Sequence, residues 1–259
     1  MRRFLIAAVV VASMSASTLH AQTDAKPIKA LLVIGGCCHD YNKQKDILAK
    51  GLAARANVDV TIAYEKDTGT KKLNPVYENP DWSKGYDVII HDECSADVSD
   101  KDVVNRILQP HRDGLPAVLL HCGMHCYRVP KSDEWFKFTG LTTRNHGPQL
   151  PIEITFNPDS PITKNLANWK TINEELYNNE NLWKTATPLA RGKQQKNDYV
   201  VAWTNMYNDK TKVFATTLGH NNATVEDPRY LDLVANGLLW ATGHLTDDGR
   251  PAAGYGPRK

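Results

Sequence analysis

Histidines and acids collect at three places where a short apolar run stops. His39 and Asp40 follow the run 30–34 and the pair Gly35-Gly36; His91, Asp92 and Glu93 close a run that begins at Asp87; His121, with His125 four residues on, closes the run 116–120. Neutral imidazoles and carboxylates exchange protons near neutral pH, which suits general acid and base catalysis. The same donors suit a divalent metal such as zinc, manganese or iron. His121 and His125 would share one face of a helix, as a metal-binding pair does, but Gly123 between them argues for a turn.

The five cysteines, Cys37, Cys38, Cys94, Cys122 and Cys126, contain no C-x-x-C pair, so a cysteine-based structural zinc is not expected. Their odd number leaves at least one thiol free. Cys122 stands at a strand-to-helix turn, where a helix amino terminus would activate a thiolate. The plainer reading makes it, with Cys37, Cys38 and Cys94, a small buried residue near a sheet end.

These groups need a scaffold, and the chain supplies one. The runs 30–34, 58–63, 87–91 and 116–121 read as buried parallel strands. Between them, Ile47, Leu48 and Leu52 mark one amphipathic helix, and Val103, Val104, Ile107 and Leu108 another, opened by Ser99-Asp100 and closed by Pro110 and Gly114. That rhythm predicts an α/β protein, a doubly wound, flavodoxin-like and mainly parallel sheet with helices on both faces. In the spatial order 2-1-3-4 the first, third and fourth strands are neighbours, so one cleft beyond their carboxyl ends is expected to collect His39 and Asp40, His91, Asp92 and Glu93, and His121 and His125. Later strands over 151–156, 199–203 and 212–217 extend the sheet or form an antiparallel edge. A last helix starts at Asp227-Pro228 and buries Tyr230, Leu231, Val234, Leu238 and Trp240.

The ends and the charge narrow the setting. Residues 1–21, two arginines then an apolar stretch then small residues ending at Ala21, have the layout of a cleaved secretory signal, which predicts a periplasmic or secreted protein. Residues 22–246 form the α/β domain, and 247–259, rich in Gly, Pro and charge, are expected to be a flexible tail. No run approaches the roughly 20 apolar residues of a membrane span. With 31 Lys and Arg against 29 Asp and Glu, scattered along the chain, nucleic acid is an unsuitable partner.

An ordered set of short segments carries a resemblance: Leu119-Leu120-His121-Cys122-Gly123, Phe138-Thr139-Gly140 with His146 beyond, Pro161-Ile162-Thr163, Glu174-Glu175-Leu176-Tyr177, Val201-Ala202-Trp203, 213–220 ending in Gly219-His220, and Gly237-Leu238-Leu239-Trp240-Ala241. From about Lys29 to Thr242 the chain resembles the ThuA-like family of trehalose utilisation, within the class I glutamine amidotransferase-like fold superfamily. Amidotransferases of that superfamily carry a cysteine nucleophile in a Gly-x-Cys-x-Gly elbow and a later His-x-Glu. Here His121 stands at the elbow, Cys122 is one place off, and the later motif reads His220-Asn221-Asn222. Glutamine hydrolysis through a thioester is therefore not expected.

The resemblance implies a carbohydrate-active site in which His121, His220, Glu175 and His146 are catalytic; with the strand-end placement and spacing above, His39, Asp92, Tyr177 and Trp203 are expected to bind substrate and His121, His125 and His220 to hold any metal. Trp203 and Tyr177, with Trp135 and Trp183, would stack on sugar faces; an equal argument puts most of them in the core. The chemistry expected is proton transfer, as in an isomerase, epimerase or lyase, on a keto-sugar or oxidised glycoside. The alternatives are a metal-dependent hydrolase of a sugar derivative and a non-catalytic periplasmic sugar-binding module. The expected partner is a small carbohydrate, and the sequence is compatible with an oligomer.

Overall fold

The computed structural model describes residues 25–129 and 132–258; the expected signal, 1–21, lies outside them. In chain order the elements are β1 (Ile28–Gly36), α1 (Tyr41–Ala53), β2 (Val58–Glu65), β3 (Val88–Cys94), α2 (Lys101–Arg112), β4 (Ala117–Leu120), α3 (Glu134–Thr139), β5 (Leu141–Thr142), β6 (His146–Phe156), β7 (Trp169–Tyr177), β8 (Asn181–Leu182), β9 (Ala186–Gln194), β10 (Asn197–Tyr207), β11 (Thr211–Thr216), α4 (Asn222–Val225) and α5 (Pro228–Ala241).

Nine strands form one sheet in the order β2-β1-β3-β4-β11-β10-β9-β6-β7, while β5 and β8 pair separately. The first four are parallel, as the sequence rhythm predicts, and β11, expected only to extend the sheet or form an antiparallel edge, joins β4 in parallel with Ala215 beside Leu119. From β10 onward every pairing is antiparallel. The fold is thus flavodoxin-like at its core with an antiparallel extension.

Two apolar layers cover the sheet. Leu32, Ile34 and Leu120 pack with Leu48 and Leu52 of α1 and Val234 and Leu238 of α5 on one face. Leu31, Val33, Ile89 and Leu119 pack with Ile107 of α2 and Trp135 and Phe138 of α3 on the other. Each such side chain withdrawn from water contributes about 1.5–3 kcal/mol. Asp100 caps α2 by accepting from the backbone N–H of Asp102 and Val103. The helix runs past Pro110 to Arg112 rather than stopping there, so the proline sits in its last turn.

Three expectations about the elements change. Strand β3 continues to Cys94, which places His91, Asp92 and Glu93 inside it. Strands β7 and β9 and helix α3 carry no clean apolar alternation and were not anticipated. The segment expected to be a flexible tail is instead tied down: Leu245 bridges to Pro251, Tyr255 stacks on His244, and Asn57 donates to the Gly254 carbonyl. Composition predicts solvation there, but the Asn57 partner lies far away in sequence.

Candidate active site

The parallel strands deliver their loops to one end of the sheet. Gly35 takes φ +135°, and a Cβ there would lie 2.2 Å from the Glu65 carbonyl oxygen, so only glycine lets β1 run against β2 before turning toward His39. His121 begins a 3-10 turn, His121–His125, in the left-handed region at φ +39°. That backbone is costly for a non-glycine residue and presents the imidazole at the sheet end. Gly123 lets the turn pack on β3, since a Cβ there would lie 2.7 Å from the His91 carbonyl oxygen.

His121 Nδ1 donates to the Thr217 carbonyl at 2.7 Å, so in the neutral ring Nε2 carries the lone pair. That Nε2 lies 3.5 Å from Oε2 of Glu175, on β7, and 3.4 Å from the hydroxyl of Tyr177. His146 Nδ1 donates to the Gly147 carbonyl at 2.8 Å, and its Nε2 also lies 3.5 Å from Glu175 Oε2. His220 Nδ1 is 3.2 Å from the other oxygen, Oε1. Glu175 is therefore the hub of three imidazoles. Two Nε2 atoms facing one carboxylate oxygen form a set able to share a proton or to hold a cation.

Electrostatics agree with this geometry. Burial works against ionising Glu175, but the hydrogen bonds and charges of His121 and His220 outweigh it and hold the carboxyl below the ordinary range. Burial likewise disfavours charge on His220, but the hydrogen bond and charge of Glu175 raise it overall. His39 meets His121 and His220 edge-on at centroid distances of 4.6 and 4.7 Å. Burial first, then those two rings, push its pKa down to about 2, so it is a neutral donor.

Donor atoms of His39, His121 and His220 lie within 4.8 Å of one another, and His39 Nδ1 is buried without a hydrogen-bond partner. Three imidazoles beside a carboxylate fit zinc, manganese or iron. The imidazoles that could hold a metal are thus His39, His121 and His220. His125, expected in that set, instead bonds Thr143 Oγ1 at 3.2 Å and stacks on Tyr177 at 3.9 Å, because the 3-10 turn does not keep i and i+4 on one face.

All four residues expected to be catalytic, His121, His220, Glu175 and His146, come together, as do His39 and Tyr177. His39, His146, Glu175 and Tyr177 line a cavity of about 330 Å³, within the roughly 300–1,000 Å³ usual for small-molecule sites, and His121 and His220 stand behind Glu175. Asp92 and Trp203 do not join them. Asp92 faces the α1 and α5 layer beside Tyr41 and Tyr230, and burial, with the charge of Glu93, holds its carboxyl well above the usual range. Trp203 is 0% exposed in the core and donates Nε1–H to the Thr139 carbonyl at 2.7 Å. His91 and Glu93 also point away from the cavity, bonding each other and, through His91, His111.

Three residues support these imidazoles, and two of them, Gln149 and Gln44, lacked a sequence signal. Gln149 donates to Glu175 Oε1 at 3.2 Å and meets His220 Nε2 at 2.8 Å. Gln44 donates to the Gly219 and His220 carbonyls. Glu174 accepts from the backbone N–H of His220 and Asn221, fixing the loop that carries His220. Cysteines line the wall: Cys37 is bridged to Cys38 and Cys94 to Cys122, and Cys126 is the free thiol among the described residues. Cys122 is therefore not a free nucleophile at the elbow.

The family model for ThuA, trehalose utilisation, matches residues 29–241. Among solved structures, a ThuA-like protein of Parabacteroides merdae aligns with TM-score 0.66 at 19% identity, covering 90% of this chain and 98% of its own. One from Bacteroides uniformis aligns with TM-score 0.64 at 17% identity, covering 87% and 96%. A GMP synthase component from Thermoplasma acidophilum aligns with TM-score 0.53 at 10% identity, covering 85% and 96%, and so shares the fold. No curated protein matches the sequence.

Proposed function

The chain belongs to the ThuA family, and from that premise we propose that its cavity takes a sugar derivative bearing a ring carbonyl and moves a proton at the adjacent carbon. The observation that carries this is the Glu175 carboxylate, on a cavity wall with His146, and the three imidazole nitrogens 3.2–3.5 Å from it. Removing a proton next to a carbonyl needs a base and a group that holds the enolate charge. His146, the most open of the three rings at 39% side-chain exposure, takes the proton and exchanges it with solvent. Glu175 balances the charge on whichever imidazole is protonated. Tyr177, its hydroxyl 3.4 Å from His121 Nε2, donates toward that ring and fixes the wall. A divalent ion on His39, His121 and His220 would polarise the carbonyl.

The pattern of residues 1–21 and the two disulfides favour action outside the cytoplasm. The histidine triad favours one second reading, metal-dependent hydrolysis of a sugar derivative. Incubation in D₂O with a glucoside oxidised to a ring ketone, with zinc or manganese added, separates the two. Deuterium entering the carbon next to the ketone supports proton transfer. Cleavage that takes oxygen from labelled water, with no deuterium at carbon, contradicts it and supports the hydrolase.

A further inference from the structure

We propose that Cys37, Cys38, Cys94 and Cys122 form a second reactive site, a thiol–disulfide relay that accepts electrons from a small dithiol and passes them to the buried bridge. Three observations carry it, and none depends on the sugar chemistry. The bridges Cys37–Cys38 and Cys94–Cys122 touch, with Cys37 Sγ 3.6 Å from Cys94 Sγ. Their burial is graded: Cys38 is exposed and Cys37 half-buried, whereas Cys94 and Cys122 are 3% and 5% exposed. All four line the same cavity, so a small reductant has a path to the outer sulfur.

The exchange follows from that order. A thiolate of the dithiol attacks Cys38 Sγ, breaks the Cys37–Cys38 bond and leaves Cys37 as the thiolate. Cys37 attacks Cys94 Sγ, forming a Cys37–Cys94 bond and releasing Cys122. The second thiol of the reductant then attacks its own sulfur bound to Cys38, releasing Cys38 as a thiol and the reductant as a cyclic disulfide. One dithiol has been oxidised, and two protein disulfides have become one disulfide and two thiols. Cys126 stays outside: it is buried, its thiol donates to the Glu93 carbonyl, and burial pushes its pKa up.

The relay ends in the histidine site. Cys38 immediately precedes His39 and Cys122 immediately follows His121, and ligand atoms of His39, Cys94 and Cys122 lie within 4.8 Å of one another. Reduction therefore frees a thiol beside the imidazoles and loosens both segments that hold them.

Stopped reaction with dithiothreitol, acid quench, alkylation and peptide mapping tests the relay. In the native protein the Cys37–Cys38 peptide should react first, and a peptide linked through Cys37–Cys94 should then appear with Cys38 and Cys122 alkylated. Opening of the Cys94–Cys122 bridge should be at least about tenfold slower in the Cys37→Ser, Cys38→Ser double variant, checked for folding by circular dichroism. Equal opening rates in the two proteins, or native protein that never yields the Cys37–Cys94 peptide, would overturn the proposal. The native-protein arm stands if the variant does not fold.

Discussion

His121 Nε2 and Glu175 Oε2 lie 3.5 Å apart although β4 and β7 are separated in the sheet by β11, β10, β9 and β6. Such a distance requires the antiparallel half to curl back over the carboxyl ends of the parallel half. The parallel strands fix His39, His121 and His220, and the curled extension brings Glu175 together with His146.

Calorimetric titration of the metal-free protein with zinc or manganese should find one ion per chain. Truncating His39 to alanine should weaken binding at least about tenfold, since it removes one of three nitrogen donors. Truncating His125 should change it little, because that ring is committed to Thr143 and Tyr177. Loss of binding in the His125 variant with retention in the His39 variant would restore the His121/His125/His220 set.

Trp203→Phe should lower stability by about 1–3 kcal/mol, leaving the Thr139 carbonyl without its buried donor. Sugar affinity should not move. A urea denaturation and a ligand titration on one preparation check both, and a selective loss of affinity would return Trp203 to the binding surface.

Stability should fall as pH drops below about 6.5 through the buried His111. Burial, with the neighbouring His91, lowers its pKa in the fold from the ordinary 6.5 to about 3. Between those values the unfolded chain binds a proton that the folded chain refuses, so this contribution is complete above 6.5 and declines toward pH 3. Urea midpoints measured from about pH 7 to about pH 4 should fall less steeply in His111→Phe than in the native protein; parallel slopes would assign the acid sensitivity elsewhere.

Much of the parallel half was legible because β1, β3 and β4 carry apolar runs that are followed by polar residues, as at His121, although β2 is broken by Asp59 and Thr61. The order β2-β1-β3-β4 and the two-sided helices follow from that pattern. Strand β7 was not legible: Trp169–Tyr177 mixes buried and exposed positions and ends in four consecutive buried ones, Glu174 and Glu175 among them. Glu175 was reachable only through the family resemblance. Asp92 misled because β3 continues two residues past it, which turns an apparent strand-end carboxylate into a core one. Gln44 and Gln149 gave no signal because they bond the Gly219–His220 segment from 175 and 71 residues away.

The central claim is that Glu175 organises the imidazoles for catalysis, and Glu175→Gln tests it. The amide keeps the shape but removes the charge that His121, His146 and His220 face. Deuterium exchange into a ring-oxidised glucoside and thermal unfolding are measured on one sample. The account predicts exchange slowed by about 10²–10⁴-fold, the scale of a lost acid or base, with the unfolding transition near that of the native protein. Undiminished exchange in a folded Glu175→Gln protein would contradict it.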